Sequence, residues 1–281
     1  MDSQETYPEA DHLEPEAEAG GPSASPVEAP APEDNDARPL ILVVEDNTGI
    51  CDYIRESLSD SYRVAIAHNG KEGLAEALHQ VPDIIISDIM MPVMDGIALC
   101  KAVKNDIVTS HIPVILLTAK SSTESRKEGY DVGADSYIVK PFNRDLLVSR
   151  IENILMTRKR LANCLAQGES PQELSPVDNT FLQRFTREVE ASLQTDTADV
   201  ENLAATLCMS PSTLYRKIKG LAGISPNELI RNIKLDKAAN LLKTTDLTIA
   251  EIAYQCGIGS PIYFRTVFKD RFGKTPSEFR M

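Results

Sequence analysis

Four apolar runs in this chain stop abruptly on a polar residue. Leu40-Ile41-Leu42-Val43-Val44 ends at Glu45 and Asp46, and Ile84-Ile85-Ile86-Ser87 ends at Asp88. Val114-Ile115-Leu116-Leu117 ends at Thr118, and Tyr137-Ile138-Val139 ends at Lys140. Near-continuous apolar runs of this length, separated by helix-like stretches, are the pattern of strands buried on both faces of a parallel sheet. Ligands of such sheets gather outside the carboxyl ends of the strands. The runs therefore bring three carboxylates, a hydroxyl and an ammonium to one crevice. Three carboxylates at close range repel one another unless a cation lies among them, and oxygen-only ligands suit a hard ion such as Mg²⁺.

The stretch from 38 to 160 reads as five strand–helix units, an α/β doubly wound five-stranded parallel sheet. The strands are expected at 40–45, 62–67, 84–88, 113–118 and 136–140, and the helices at 48–60, 71–80, 96–106, 122–131 and 143–160. Asn47-Thr48 and Asn143 suit helix N-caps, and Asn69-Gly70 and Asp95-Gly96 mark turns. Residues 161–177, with Gly168, Ser170, Pro171, Ser175 and Pro176, read as a linker, and residues 178–281 as an all-α domain.

Charge divides the chain differently. Its net charge is −13. Residues 1–38 carry 11 acids against 1 base, residues 39–157 carry 17 against 11, and residues 158–281 carry 14 against 17. Only the last part suits a polyanion such as DNA. Residues 1–37 have almost no large apolar side chains, so they are expected to be disordered. This acidic tail fits a solubilising extension, a linker left from a longer protein, or a repeller of DNA. The five cysteines form no CxxC pair, which fits buried reduced thiols in a cytoplasmic protein. The four histidines are dispersed and form no metal constellation. No apolar run approaches the ~20 residues that span a membrane, and no secretory signal is expected.

The C-terminal part contains a weak repeat. Leu203-Ala204 matches Ile252-Ala253, and the stretch Ser210-Pro211 to Lys219 matches Ser260-Pro261 to Lys269. Each copy is a short apolar helix, a turn, and a helix opened by Ser at the N-cap and Pro at N1. Each second helix has an apolar stripe and a basic or polar opposite face. That is the design of a helix-turn-helix, whose second helix enters a major groove.

Val43-Val44-Glu45-Asp46-Asn47, Asp88-Ile89-Met90-Met91-Pro92-Val93-Met94-Asp95-Gly96, Leu117-Thr118-Ala119-Lys120 and Lys140-Pro141-Phe142 together resemble the receiver domain of two-component response regulators. The resemblance implies a flavodoxin-like strand order 2-1-3-4-5 and a phosphoacceptor at Asp88. It implies Mg²⁺ held by Glu45, Asp46, Asp88 and the Met90 carbonyl. It also implies phosphoryl contacts and switching by Thr118, Lys140 and Tyr137, with a cis bond before Pro141 that aims Lys140 into the site. Glu45 stands where many receivers have a second Asp.

Ile249-Ala250-Glu251-Ile252-Ala253, Gly257-Ile258, Tyr263-Phe264, Phe268-Lys269, Phe272-Gly273 and Thr275 to Arg280 resemble the AraC-type DNA-binding domain, whose two helix-turn-helix units are joined by a central helix, here 227–243. Leu214, Ile218, Phe264 and Phe268 are expected in its core. Ser212, Thr213, Tyr215, Arg216 and Lys219 on the first reading helix, and Ile262, Tyr263, Arg265, Thr266 and Lys269 on the second, are expected to face DNA. Many members carry Arg where this chain has Thr266, and here Arg265 precedes it.

The combined reading is a transcription regulator and not an enzyme, phosphorylated on Asp88 by a histidine kinase. Its expected partners are double-stranded DNA, a second copy of itself when phosphorylated, and RNA polymerase. The alternatives are the C-terminal part of a hybrid sensor kinase, or a receiver used only as a protein-binding platform. An aspartyl-phosphate hydrolase would need a second Asp two residues after Asp88, where Met90 stands.

Overall fold

A computed structural model describes residues 38–119, 132–167, 174–193 and 199–280. The acidic tail, the helix expected at 122–131 and Lys120 lie outside the described residues.

The five expected strands form one parallel sheet: β1 (Leu40–Val44), β2 (Arg63–Ala67), β3 (Ile84–Asp88), β4 (Val114–Thr118) and β5 (Ser136–Val139). Their order is β2-β1-β3-β4-β5, as expected. Strand side chains alternate between faces. Ile41, Val43, Ile84, Ile86, Ile115 and Leu117 fill one side against α1 (Thr48–Leu58) and α4 (Arg144–Ala166). Leu42, Val44, Ile85, Val114 and Leu116 fill the other against α2 (Gly70–Gln80) and α3 (Gly96–Asn105). Burial on both faces explains why these strands lack polar alternation. The register sets Ser87 beside Val44 and Leu117 beside Asp88, so the polar strand ends come out side by side.

Local chemistry sets the helix starts. The Asn47, Asn69 and Asn143 side chains accept from the first-turn amides of α1, α2 and α4, and Asp95 caps α3. Gly96 opens α3 directly behind β3, where a side chain would overlap the Asp88 carbonyl oxygen. α4 is longer than expected. It runs on to Ala166, so the first part of the expected linker is helical.

The second half is all helical: α5 (Pro176–Ser192), α6 (Val200–Thr206), α7 (Pro211–Ala222), α8 (Pro226–Thr244), α9 (Ile249–Gln255), α10 (Pro261–Phe272) and α11 (Pro276–Arg280). Ser210 and Ser260 cap α7 and α10, each followed by Pro in the first turn. α8 is shared by two cores. Its start packs with Phe181, Phe185, Leu203, Leu214 and Ile218. Its end packs with Ile252, Phe264 and Phe268. The rings of Phe264, Phe272 and Phe279 surround Phe268 at centroid distances of 4.6–5.5 Å. Such tilted and edge-on pairs add to the stabilisation from burial. Two thiols depart from the expected burial: Cys164 is half-buried and Cys208 is exposed.

Candidate functional site

The carboxyl ends of β1, β3 and β5 bring Glu45, Asp46, Asp88 and Lys140 together. Ligand oxygens of Glu45, Asp46 and Asp88 all lie within 4.8 Å of one another. At an effective dielectric near 20, two such charges repel by roughly 3 kcal/mol. Lys140 offsets part of this. Its Nζ donates to Glu45 Oε2 at 2.7 Å and lies 3.1 Å from Asp88 Oδ1. One ammonium among three carboxylates leaves a net negative cluster of oxygen donors, so the residues present fit a hard divalent ion such as Mg²⁺.

Burial sets the electrostatics. Glu45 is 1% exposed, whereas Asp46 is open to solvent. Burial pushes the Glu45 carboxyl above its ordinary range, and the Asp88 charge pushes the same way, against its bond from Lys140. Burial alone would lower the Lys140 ammonium, but the bonds to Glu45 and Asp88 outweigh it and raise it. Asp88 Oδ1 also accepts from the Ile89 amide at 2.9 Å, which fixes the carboxylate at the strand end.

Of the switch residues expected from sequence, Lys140 touches this cluster, while Thr118 and Tyr137 lie on β4 and β5. Thr118 ends β4 and is 4% exposed. Tyr137 packs inward beside Leu116, with its hydroxyl buried. The Lys140–Pro141 bond is cis. The Met90 side chain is exposed.

The two helices expected to read DNA differ. On α10, Phe264 and Phe268 are buried, while Ile262, Tyr263, Arg265, Thr266 and Lys269 are all exposed. On α7, Leu214 and Ile218 are buried and Ser212 and Lys219 are exposed, but Thr213, Tyr215 and Arg216 are only partly so. Arg216 Nη1 donates to the His79 carbonyl at 2.6 Å, across to the end of α2. The face expected to meet DNA is turned toward the sheet domain.

Sequence reasoning missed Lys217, Ser110, His111 and Asp178. Lys217 is 0% exposed and paired with Asp178. A lysine on a helix reads as a solvated head, so nothing in the sequence marked it.

Residues 41–152 match the response regulator receiver domain family. Residues 203–281 match a helix-turn-helix domain family. Histidine kinase P4 of Formosa agariphila is 41% identical over 244 residues, covering 85% of this chain but 18% of that protein. The probable transcriptional regulator ycf29 of Pyropia yezoensis is 32% identical over 213 residues, covering 71% of this chain and 95% of that protein. Response regulator MprA of Mycobacterium ulcerans is 35% identical over 142 residues, covering 49% of this chain and 60% of that protein. No described helix is long and apolar enough to cross a membrane.

Proposed function

Because this chain belongs to the response regulators and joins a receiver domain to a helix-turn-helix domain, we propose that it is a DNA-binding transcription regulator switched by phosphorylation of Asp88. The observation that carries the reading is the Lys140 ammonium on Glu45 and Asp88, with Asp46 beside them. A histidine kinase is the donor. An Asp88 carboxylate oxygen attacks the phosphorus of a phosphohistidine, the P–N bond breaks with its electron pair going to nitrogen, and the imidazole leaves neutral after taking one proton from solvent. Mg²⁺ held by Asp46, Asp88, the Met90 carbonyl and, through water, Glu45 would neutralise charge on the phosphoryl oxygens.

The product adds about 1.5–2 negative charges and three acceptors at Asp88. Lys140 then pairs with a phosphoryl oxygen, and the Thr118 hydroxyl donates to another. Tyr137 moves with Thr118 and changes the face that β5 and α4 present, through which two copies associate. A dimer sets two helix-turn-helix domains on one DNA and adds avidity without new base contacts.

The test is labelling by phosphoramidate, read by intact mass. Wild-type protein should gain one acid-labile phosphate, dependent on Mg²⁺, and Asp88→Asn none, because an amide is a poor nucleophile. Acid-labile phosphate on Asp88→Asn would overturn the assignment.

The 244-residue match to a histidine kinase supports a second reading, in which the same two modules work within a kinase chain. An immunoblot of native cells separates the two, because a hybrid would run far above the 30.9 kDa of this chain.

A further inference from the structure

The amino-end side of the receiver sheet carries a second buried charge cluster. Lys217 lies in the middle of α7 and is 0% exposed. Its ammonium pairs with Asp178 of α5, donates to Ser110 Oγ at 2.9 Å and lies 3.3 Å from His111 Nδ1. Ser110 in turn donates to Asp178 at 2.7 Å. Ser110 and His111 sit in the loop between α3 and β4, and Lys217 and Asp178 belong to the helical domain. An ion pair out of water loses its hydration and persists only when further hydrogen bonds satisfy it. Here the receiver loop supplies one of them.

Other contacts close the same face. Arg216 is held by the His79 carbonyl. A side chain at Gly220 would overlap the His111 ring, so the loop can rest on α7 only because that position has none. At Gly223, an added Cβ would lie 3.2 Å from the Ala162 methyl of α4. Tyr215 and Lys219 line the cleft with Pro113, Leu155 and Arg158. Among the described residues nothing comparable covers α10, whose polar face is exposed.

A reading helix must enter the major groove with its side chains free. We infer that the receiver acts as a latch on α7: this arrangement is a closed form in which one of two reading helices is covered. The inference rests on the DNA-binding reading above. Tyr215 and Arg216 reach DNA only after the 106–113 loop and the end of α2 release α7. The latch lies at the amino ends of the strands, away from Asp88, and α4 spans the gap. It starts just after Lys140 and carries Leu155, Arg158 and Ala162 to α7. Its 23 residues extend about 34 Å, enough to carry a shift from the phosphoacceptor to the latch.

Two receiver-loop variants of the full chain test this, with wild type alongside. Ser110→Lys adds a second ammonium beside Lys217, and His111→Ala removes the ring resting on Gly220. The readouts are amine labelling of Lys217 and binding to a mixed-sequence DNA duplex across a salt series. Wild-type Lys217 should resist labelling, and in both variants it should react. Both variants should bind DNA about tenfold or more tighter, because apparent affinity scales with the open fraction. The slope of log affinity against log salt should steepen by about 1 as Lys219 adds a phosphate contact. Variants with reactive Lys217 and wild-type DNA affinity would overturn the latch alone, as would a wild-type Lys217 that labels as fast as Lys219. Absence of DNA binding by every chain, with Lys217 reactive in the variants, would overturn the DNA reading and the latch with it.

Discussion

Lys140 and Lys217 are both lysines held by carboxylates, yet the two sites respond to different agents. At Lys140 the excess of carboxylates leaves room for a cation, and the acids are unequal. Asp46 is open and can bind an ion directly, whereas Glu45 is buried and already bonded to Lys140. Asp46→Asn should therefore weaken Mg²⁺ affinity more than Glu45→Gln, measured by titration calorimetry, and the reverse order would contradict the assigned ligands. At Lys217 the charges nearly balance. Burial alone would raise the Asp178 carboxyl, but the ion pair with Lys217 and bonds from Lys217, Ser175 and Ser110 outweigh it and hold it low. His111 is the group in this cluster whose ordinary value lies nearest neutrality. Burial first, then the Lys217, Arg158 and Lys104 charges, push its imidazole well below the ordinary value, against the pull of Asp178. The closed form thus keeps His111 neutral, while an open form protonates it near pH ~6.5. Closure is at full strength above that pH and weakens as pH falls through it. DNA affinity should rise between about pH 7.5 and 6 more in wild type than in His111→Ala. Equal pH profiles would contradict this role for His111.

At the level of elements, the sequence was most legible where a pattern is local. Buried parallel strands leave continuous apolar runs, and those of β1, β3 and β5 ended on the charged residues that cluster together. Asn47, Asn143, Ser210 and Ser260 marked helix starts through their capping oxygens. The end of α4 was missed. Leu161 to Ala166 contain no glycine or proline, and the first breaker is Gly168, so a stop at 160 had no physical cause. The latch was not legible at all. Lys217 and His111 are 106 residues apart, and no periodicity links a loop polar residue to a helix lysine at that distance. The proposed function divides the DNA contacts between a base reader, Arg216, and a phosphate anchor, Lys269. Arg216→Ala should cost about 1–3 kcal/mol on the preferred site and relax preference at one base position, because Arg can bond guanine bidentately. Lys269→Ala should weaken all sequences alike and flatten the salt dependence by about one phosphate contact. If binding-site selection and salt titration give the two variants the same signature, the division of readers and phosphate anchors is wrong.

Across the whole molecule, α4 is the mechanical link. Leu147 and Ile151 fix it to the sheet. The Ala166 carbonyl at its end accepts from Asn232 at 3.3 Å and from Arg271 at 3.1 Å. Arg271 is itself held by both oxygens of Asp236. A shift at one end of α4 therefore has rigid partners at the other. Two stable arrangements require a phosphoryl group that favours one of them, since a ligand moves an equilibrium only by its differential affinity. Phosphorylation should raise the dimer fraction seen by sedimentation, and Thr118→Ala or Tyr137→Ala should be phosphorylated without that rise. A monomer in both states would refute the dimer switch and leave the chemistry at Asp88 untouched. Deleting residues 1–37 should leave the DNA footprint in place and, at most, tighten nonspecific binding by removing acidic charge. The central claim is that phosphate on Asp88 sets DNA affinity. Its most direct test is the equilibrium binding of full-length protein to a selected DNA site, with and without phosphoramidate and Mg²⁺, in wild type and in Asp88→Asn. The account predicts tighter binding on phosphorylation in wild type and no response in Asp88→Asn. Equal affinity of phosphorylated and unphosphorylated wild type would contradict it.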